Sequence, residues 1–118
     1  MYKLTIVVAI YNVENYLKKC LDSLVDQTCG DYQVFCVNDG STDKSRDIIL
    51  SYLDNKKFKL LDKPNGGLSD ARNYGIERCD SEYISFIDGD DFVENNYVET
   101  IINTLDKDKS DMMVFSYN

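Results

Sequence analysis

Residues 4–24 read LTIVVAIYNVENYLKKCLDSL, and within them the hydrophobic period changes. Leu4 to Ile10 is almost continuously apolar and rich in β-branched residues, as expected of a strand covered on both faces. From there on, Val13, Tyr16, Leu17, Cys20, Leu21 and Leu24 recur at helical spacing and make one apolar stripe. Asn12 is placed to cap that helix, and Glu14 and Lys18 to pair along it. A buried strand followed at once by an amphipathic helix is the unit of a parallel sheet.

The same unit recurs outward along the chain. Val34 to Val37 reads as a second buried strand that breaks at Asn38-Asp39-Gly40-Ser41. Ile48, Ile49, Tyr52 and Leu53 mark a second helix, with Ser41 or Thr42 as its cap. Phe58 to Leu61 is a third strand, ended by Pro64-Asn65-Gly66-Gly67, and Leu68 to Arg78 a third helix. Tyr83 to Ile87 is a fourth strand and leads into Asp88-Gly89-Asp90-Asp91. Tyr97, Val98, Ile101, Ile102 and Leu105 make a fourth helix, for which Asp90 or Asp91 is a candidate cap. Met112 to Phe115 opens a fifth strand. The expectation is one α/β domain over 1–118, a doubly wound, mostly parallel sheet with helices on both faces.

Composition narrows the function. With 13 Lys plus Arg against 21 Asp plus Glu, the net charge is -8, which disfavours a nucleic-acid partner. A single nucleotide remains compatible, because a divalent cation can sit between carboxylates and a diphosphate. The chain has no histidine, so acid–base chemistry would fall to carboxylates. Cys20, Cys29, Cys36 and Cys79 show no metal-site spacing and read as free thiols of a reducing, cytoplasmic setting. The N-terminal apolar run is far short of a membrane span.

The polar clusters Tyr11-Asn12, 38–43, 65–72 and 88–91 all follow strand ends. In an open α/β sheet that places them on one rim, where ligands bind. Asp88 and Asp90 flank a glycine, the kind of turn from which carboxylates reach a hard cation, with Gly89 allowing an unusual backbone. A plain helix-capping turn would use the same residues. Asp39 could accept from a base or a ribose hydroxyl. Gly66 and Gly67 open a helix whose free N–H groups suit an anion, with Arg72 within its first two turns. The bland alternative is a simple turn and a surface arginine.

Four segments carry a family resemblance: TIVVAIYN (Thr5 to Asn12), VNDGSTDKS (Val37 to Ser45), NGGLSDARNYGI (Asn65 to Ile76) and YISFIDGDDFV (Tyr83 to Val93). In order and spacing the chain resembles the inverting glycosyltransferases of GT-A fold often called family 2. The resemblance covers most of the chain and implies a Rossmann-like nucleotide-sugar-binding half. It implies that Tyr11 lies against the uracil of a UDP-sugar, that Asp39 bonds the base and that Arg72 sits near the base or diphosphate. It further implies that Asp88 contacts the ribose and sugar side, and that Asp90 binds Mn2+ or Mg2+. Two departures stand out, Ala9 where the family usually has proline and Asn38 where aspartate is frequent.

The resemblance also implies inversion, a hydroxyl on a glycan or lipid-linked acceptor, and work in surface polysaccharide synthesis in bacteria, at the inner face of the membrane for the intact protein. The acceptor site and the catalytic base would follow Asn118, so the chain reads as a donor-binding part truncated before the acceptor-binding part. The fourth helix and fifth strand would then expose an apolar side and promote self-association. A UDP and metal-binding module without activity is the alternative. A nucleotidyltransferase fits less well, because Tyr11-Asn12-Val13-Glu14 stands where a Gly-rich basic loop would be needed.

Overall fold

The computed structural model describes residues 2–108 and 114–117. It contains five strands, β1 (Leu4–Ile10), β2 (Tyr32–Asp39), β3 (Phe58–Lys63), β4 (Tyr83–Asp88) and β5 (Val114–Tyr117). Between them lie four helices, α1 (Leu17–Val25), α2 (Ser45–Leu50), α3 (Leu68–Arg78) and α4 (Tyr97–Asp108). The strands form one sheet in the order β3-β2-β1-β4-β5, and every pairing is parallel. The chain steps from β1 out to β3, then returns to the other side of β1 as β4. Strand order therefore reverses between β1 and β4, and a crevice opens there beyond the carboxyl ends.

Alternation along β1 assigns its two faces. Leu4, Ile6, Val8 and Ile10 pack with Leu17, Cys20, Leu21 and Leu24 of α1 and with α4. Val7 points the other way, into a smaller cluster with Ala71 of α3, Val37, Ile84 and Phe86. Burial on both sides explains why β1 carries no polar alternation except Thr5. That hydroxyl is paired with Ser81 Oγ at 2.6 Å and accepts from Gln33 Nε2 at 2.9 Å, so the buried polar atoms are satisfied.

Several sequence expectations need correction. Asn12 does not cap α1; the helix starts later, at Leu17, and its N-cap position, Tyr16, makes no side-chain cap. Tyr16 is exposed rather than part of the buried stripe. Lys18 pairs with Asp22, one turn onward, at 2.8 Å, rather than with Glu14. Neither Ser41 nor Thr42 caps α2, which begins at Ser45; Asp43 Oδ1 accepts from Ser45 N there. Asp90 and Asp91 do not cap α4, which starts at Tyr97. Its Val98 N donates instead to Gln27 Oε1 at 2.9 Å.

The apolar residues expected on α4 are all buried, so an exposed flank is not found on that helix. Met112 and Met113, the expected start of β5, lie outside the described residues. All four cysteines are free. Burial raises both Cys36 and Cys20, the latter to about 12, with the nearby charges of Asp91, Asp90 and Asp88 adding to it, so both thiols stay protonated. No helix among the described residues is long and apolar enough to cross a membrane.

Candidate nucleotide-sugar site

A cleft of about 470 Å³ lies at the reversal point, lined among others by Tyr11, Asp39, Asn65, Gly67, Asp88 and Asp90. Its floor is the carboxyl ends of β1, β2 and β4. The register sets Ala9 beside Asp88, and Ile10 beside Asn38. Of the five expected site residues, the cleft thus collects Tyr11, Asp39, Asp88 and Asp90. Arg72 stands behind it, with Nη2 at 3.5 Å from Asp88 Oδ1 and its guanidinium 5.3 Å from the Phe86 ring centre. Its buried Nε has no partner among the described residues.

Asp39 is the most tightly held of these groups. Its Oδ1 accepts from Lys63 Nζ at 2.7 Å and Gly66 N at 2.9 Å. Its Oδ2 accepts from Gly67 N at 3.0 Å and Asn65 Nδ2 at 3.2 Å. The anion expected at the Gly66-Gly67 turn is therefore, in the unliganded chain, the carboxylate of Asp39 itself. Burial works to raise this carboxyl. The Lys63 hydrogen bond, the two backbone N–H groups and the Lys63 charge outweigh it and hold the group below the usual carboxylate range. Gly67 can close the turn because it adopts a φ of 96°, a conformation side chains disfavour.

Lys63 was not visible as a site residue in the sequence. It is the partner of Asp39 in the β2–β3 register, and only strand pairing reveals that. A lysine as the last residue of a strand, directly before Pro64, was the available signal.

The loop after β1 is fastened to the loop after β2. Asn12 has a φ of 50°, which asparagine tolerates better than larger residues. Its Oδ1 accepts from Thr42 N at 2.8 Å and Asp43 N at 3.3 Å, while its own N donates to Ser41 Oγ at 3.1 Å. Glu14 N adds a bond to Asp43 Oδ2 at 3.1 Å. These bonds tie the segment carrying the half-exposed, cleft-lining Tyr11 to the loop after β2.

Asp88, Asp90 and Asp91 each bring a carboxylate oxygen within 4.8 Å of the others, and Asp88 and Asp90 line the cleft. Mg2+ takes oxygen ligands at about 2.0–2.1 Å, so small side-chain rotations suffice to bring such oxygens around one ion. The sequence pointed to Asp90; Asp91 joins it. Burial, then repulsion from Asp90 and Asp88, raises the Asp91 carboxyl, as in a cluster short of positive charge. Gly89 does not have the unusual backbone expected of it, since its φ is not positive. It is needed for close approach: a Cβ there would lie 2.9 Å from Val13 Cγ2 and 3.1 Å from Ala9 O.

A family model described as glycosyl transferase family 2 matches residues 5–118, nearly the whole chain. The chain belongs to glycosyl transferase family 2. Among relatives, the glycosyltransferase GlyA of Streptococcus pneumoniae serotype 4 is 40% identical over 98% of this chain. The chondroitin synthase of Pasteurella multocida is 36% identical over 97% of it. This family 2 chain spans only 17% of the length of the first and 12% of the second. Among solved structures, S. aureus TarS 1-349 in complex with UDP-GlcNAc superposes with a TM-score of 0.84 at 30% identity, over 92% of this chain and 32% of that one. The same protein in complex with UDP gives 0.85 at 26% identity, over 92% and 33%. The GT-A, Rossmann-like fold expected from the sequence is thereby shown.

Proposed function

We propose that this family 2 domain binds a UDP-sugar and that the whole protein transfers the sugar to a hydroxyl acceptor with inversion. The observation that carries this reading is one cleft lined by an aromatic ring, a buried carboxylate and two members of a carboxylate cluster. Such a lining suits a nucleoside diphosphate, with its flat base and its anionic tail. The TarS complexes with UDP and UDP-GlcNAc support a uridine donor. The names of GlyA, a glycosyltransferase, and of the chondroitin synthase support a glycan product; we assign it to a surface polysaccharide or a lipid-linked glycan made at the cytoplasmic side of a membrane.

On this reading Tyr11 stacks on the uracil and Asp39 accepts its N3–H. All four lone-pair positions of that carboxylate are taken in the unliganded chain, so one donor must yield. Gly67 N and Asn65 Nδ2, both on cleft-lining residues, are the ones placed to do so. Asp88 faces the ribose and sugar, and Arg72 steadies Asp88. Asp90, with Asp88 and Asp91 beside it, would hold Mn2+ or Mg2+. Such an ion, when bound, supplies positive charge that offsets the charge building on the departing diphosphate. We assign donor binding to these residues and no acceptor base.

Calorimetric titration with Mn2+ present tests the base assignment. UDP is expected to bind more tightly than GDP or ADP. Equal or tighter binding of GDP contradicts it.

A further inference from the structure

Lys63 is a charged side chain that the proposed reaction does not use, yet it is only 4% exposed. Its ammonium donates to Asp39 Oδ1 at 2.7 Å and to the Pro64 carbonyl, and pairs with Asp70 Oδ2 at 2.5 Å. Burying an ammonium is costly unless each of its protons is paired, and here three acceptors are provided. The two oxygens of Asp39 are also unlike one another. Oδ1 is held by Lys63 and Gly66 N, neither of which lines the cleft, whereas Oδ2 is held by Asn65 and Gly67, which both do.

From this asymmetry we infer that Lys63 is a positioning residue that sets the base preference of the cleft. It fixes Oδ1, keeps the carboxylate ionised and leaves Oδ2 as the face that meets the base. The inference rests on the uridine reading above. An ionised carboxylate at that place accepts the N3–H of uracil. It repels cytosine, which presents an unprotonated N3 with a lone pair. A neutral Asp39 could instead donate its proton to cytosine, so the discrimination depends on Lys63 keeping the proton away. The charged groups that face Asp39 are Lys63 from β3 and, beyond its ammonium, Asp70 from α3; Tyr11, Asp88 and Asp90 share its cleft. The direction of the Asp39 shift, downward despite burial, agrees with that role.

The test is titration of the chain with UDP and with CDP, Mn2+ present, for the wild type, Lys63→Met and Lys63→Arg, at several pH values from about 8 down to about 6. The wild type should prefer UDP over CDP at every pH. Lys63→Met should bind UDP about tenfold more weakly and lose most of its preference over CDP. Its deficit against the wild type should widen as pH falls, because the variant lacks the cation that opposes protonation of Asp39. Lys63→Arg, which restores a cation, should recover the preference. If Lys63→Met does not fold, Lys63→Gln carries the same expectation. A variant that keeps the UDP-to-CDP ratio, or loses affinity for both nucleotides by one factor at every pH, overturns the inference and makes Lys63 a purely structural residue. A wild type without preference for UDP overturns the uridine reading itself.

Discussion

Individual side chains at the rim are fitted to particular neighbours, and two positions show it. Asn38 is one of them. It donates Nδ2 to Asp62 Oδ1 at 2.9 Å and accepts Ser41 N on its own Oδ1 at 3.1 Å. A second carboxylate there would face that of Asp62, and the amide avoids the repulsion. Gly89 is the other position. Its N–H donates to Ala9 O at 2.9 Å, and no Cβ fits between that carbonyl, the Val13 Cγ2 methyl and the Ile10 Cγ1 methylene. In Gly89→Ala, overpacking costs about 1–3 kcal/mol, against about 0.4–1 kcal/mol recovered from a stiffer unfolded chain. The loss should win. We expect a lower urea midpoint together with weaker UDP binding, since the turn carrying Asp88 and Asp90 must shift. An unchanged midpoint would show that the β1 and β4 ends separate freely.

The end of α1 and the start of α4 are fixed by partners distant in sequence. The last carbonyls of α1 have no glycine cap; Tyr32 Oη donates to Leu24 O at 2.6 Å from the start of β2. The first turn of α4 takes its cap from Gln27, whose Nε2 also donates to Ser23 O at 2.8 Å and Glu94 O at 2.9 Å. Gln27→Ala removes all three bonds and leaves Val98 N without its acceptor. It should lower stability by about 1 kcal/mol, as loss of a helix cap does. A thermal melt would show it, and an unshifted transition would mean that water replaces the cap at no cost.

Such long-range caps explain what the sequence could not reveal. Strands and helices were legible because buried β1 and the stripe of α1 follow simple periods. The span of α3 was read correctly, although only Ala71 and Gly75 of it are buried. The helix starts failed where local polar residues serve other loops. Asn12 staples two strand ends together, and Asp91 belongs to a carboxylate cluster. Positions of Tyr11, Asp39, Asp88 and Asp90 on one rim followed from strand ends alone. Lys63 did not, because its neighbour Asp39 is set by the register of β2 on β3 rather than by spacing along the chain.

For the molecule as a whole, charge and topology meet at one place. The sheet reverses between β1 and β4, and the cleft there gathers Asp39, Asp88 and Asp90 in a chain already at -8. A diphosphate entering that field is repelled unless a cation intervenes. Nucleotide binding should therefore depend on a metal, and Asp90, the exposed member of the cluster, is where that dependence can be broken with the least disturbance to the fold. The most direct measurement is the affinity for UDP of the wild type and of Asp90→Asn, each titrated with and without Mn2+. Mn2+ should strengthen UDP binding to the wild type and have no such effect on Asp90→Asn. If the variant binds UDP with its metal dependence intact, the carboxylate cluster is not the metal site and the account is contradicted.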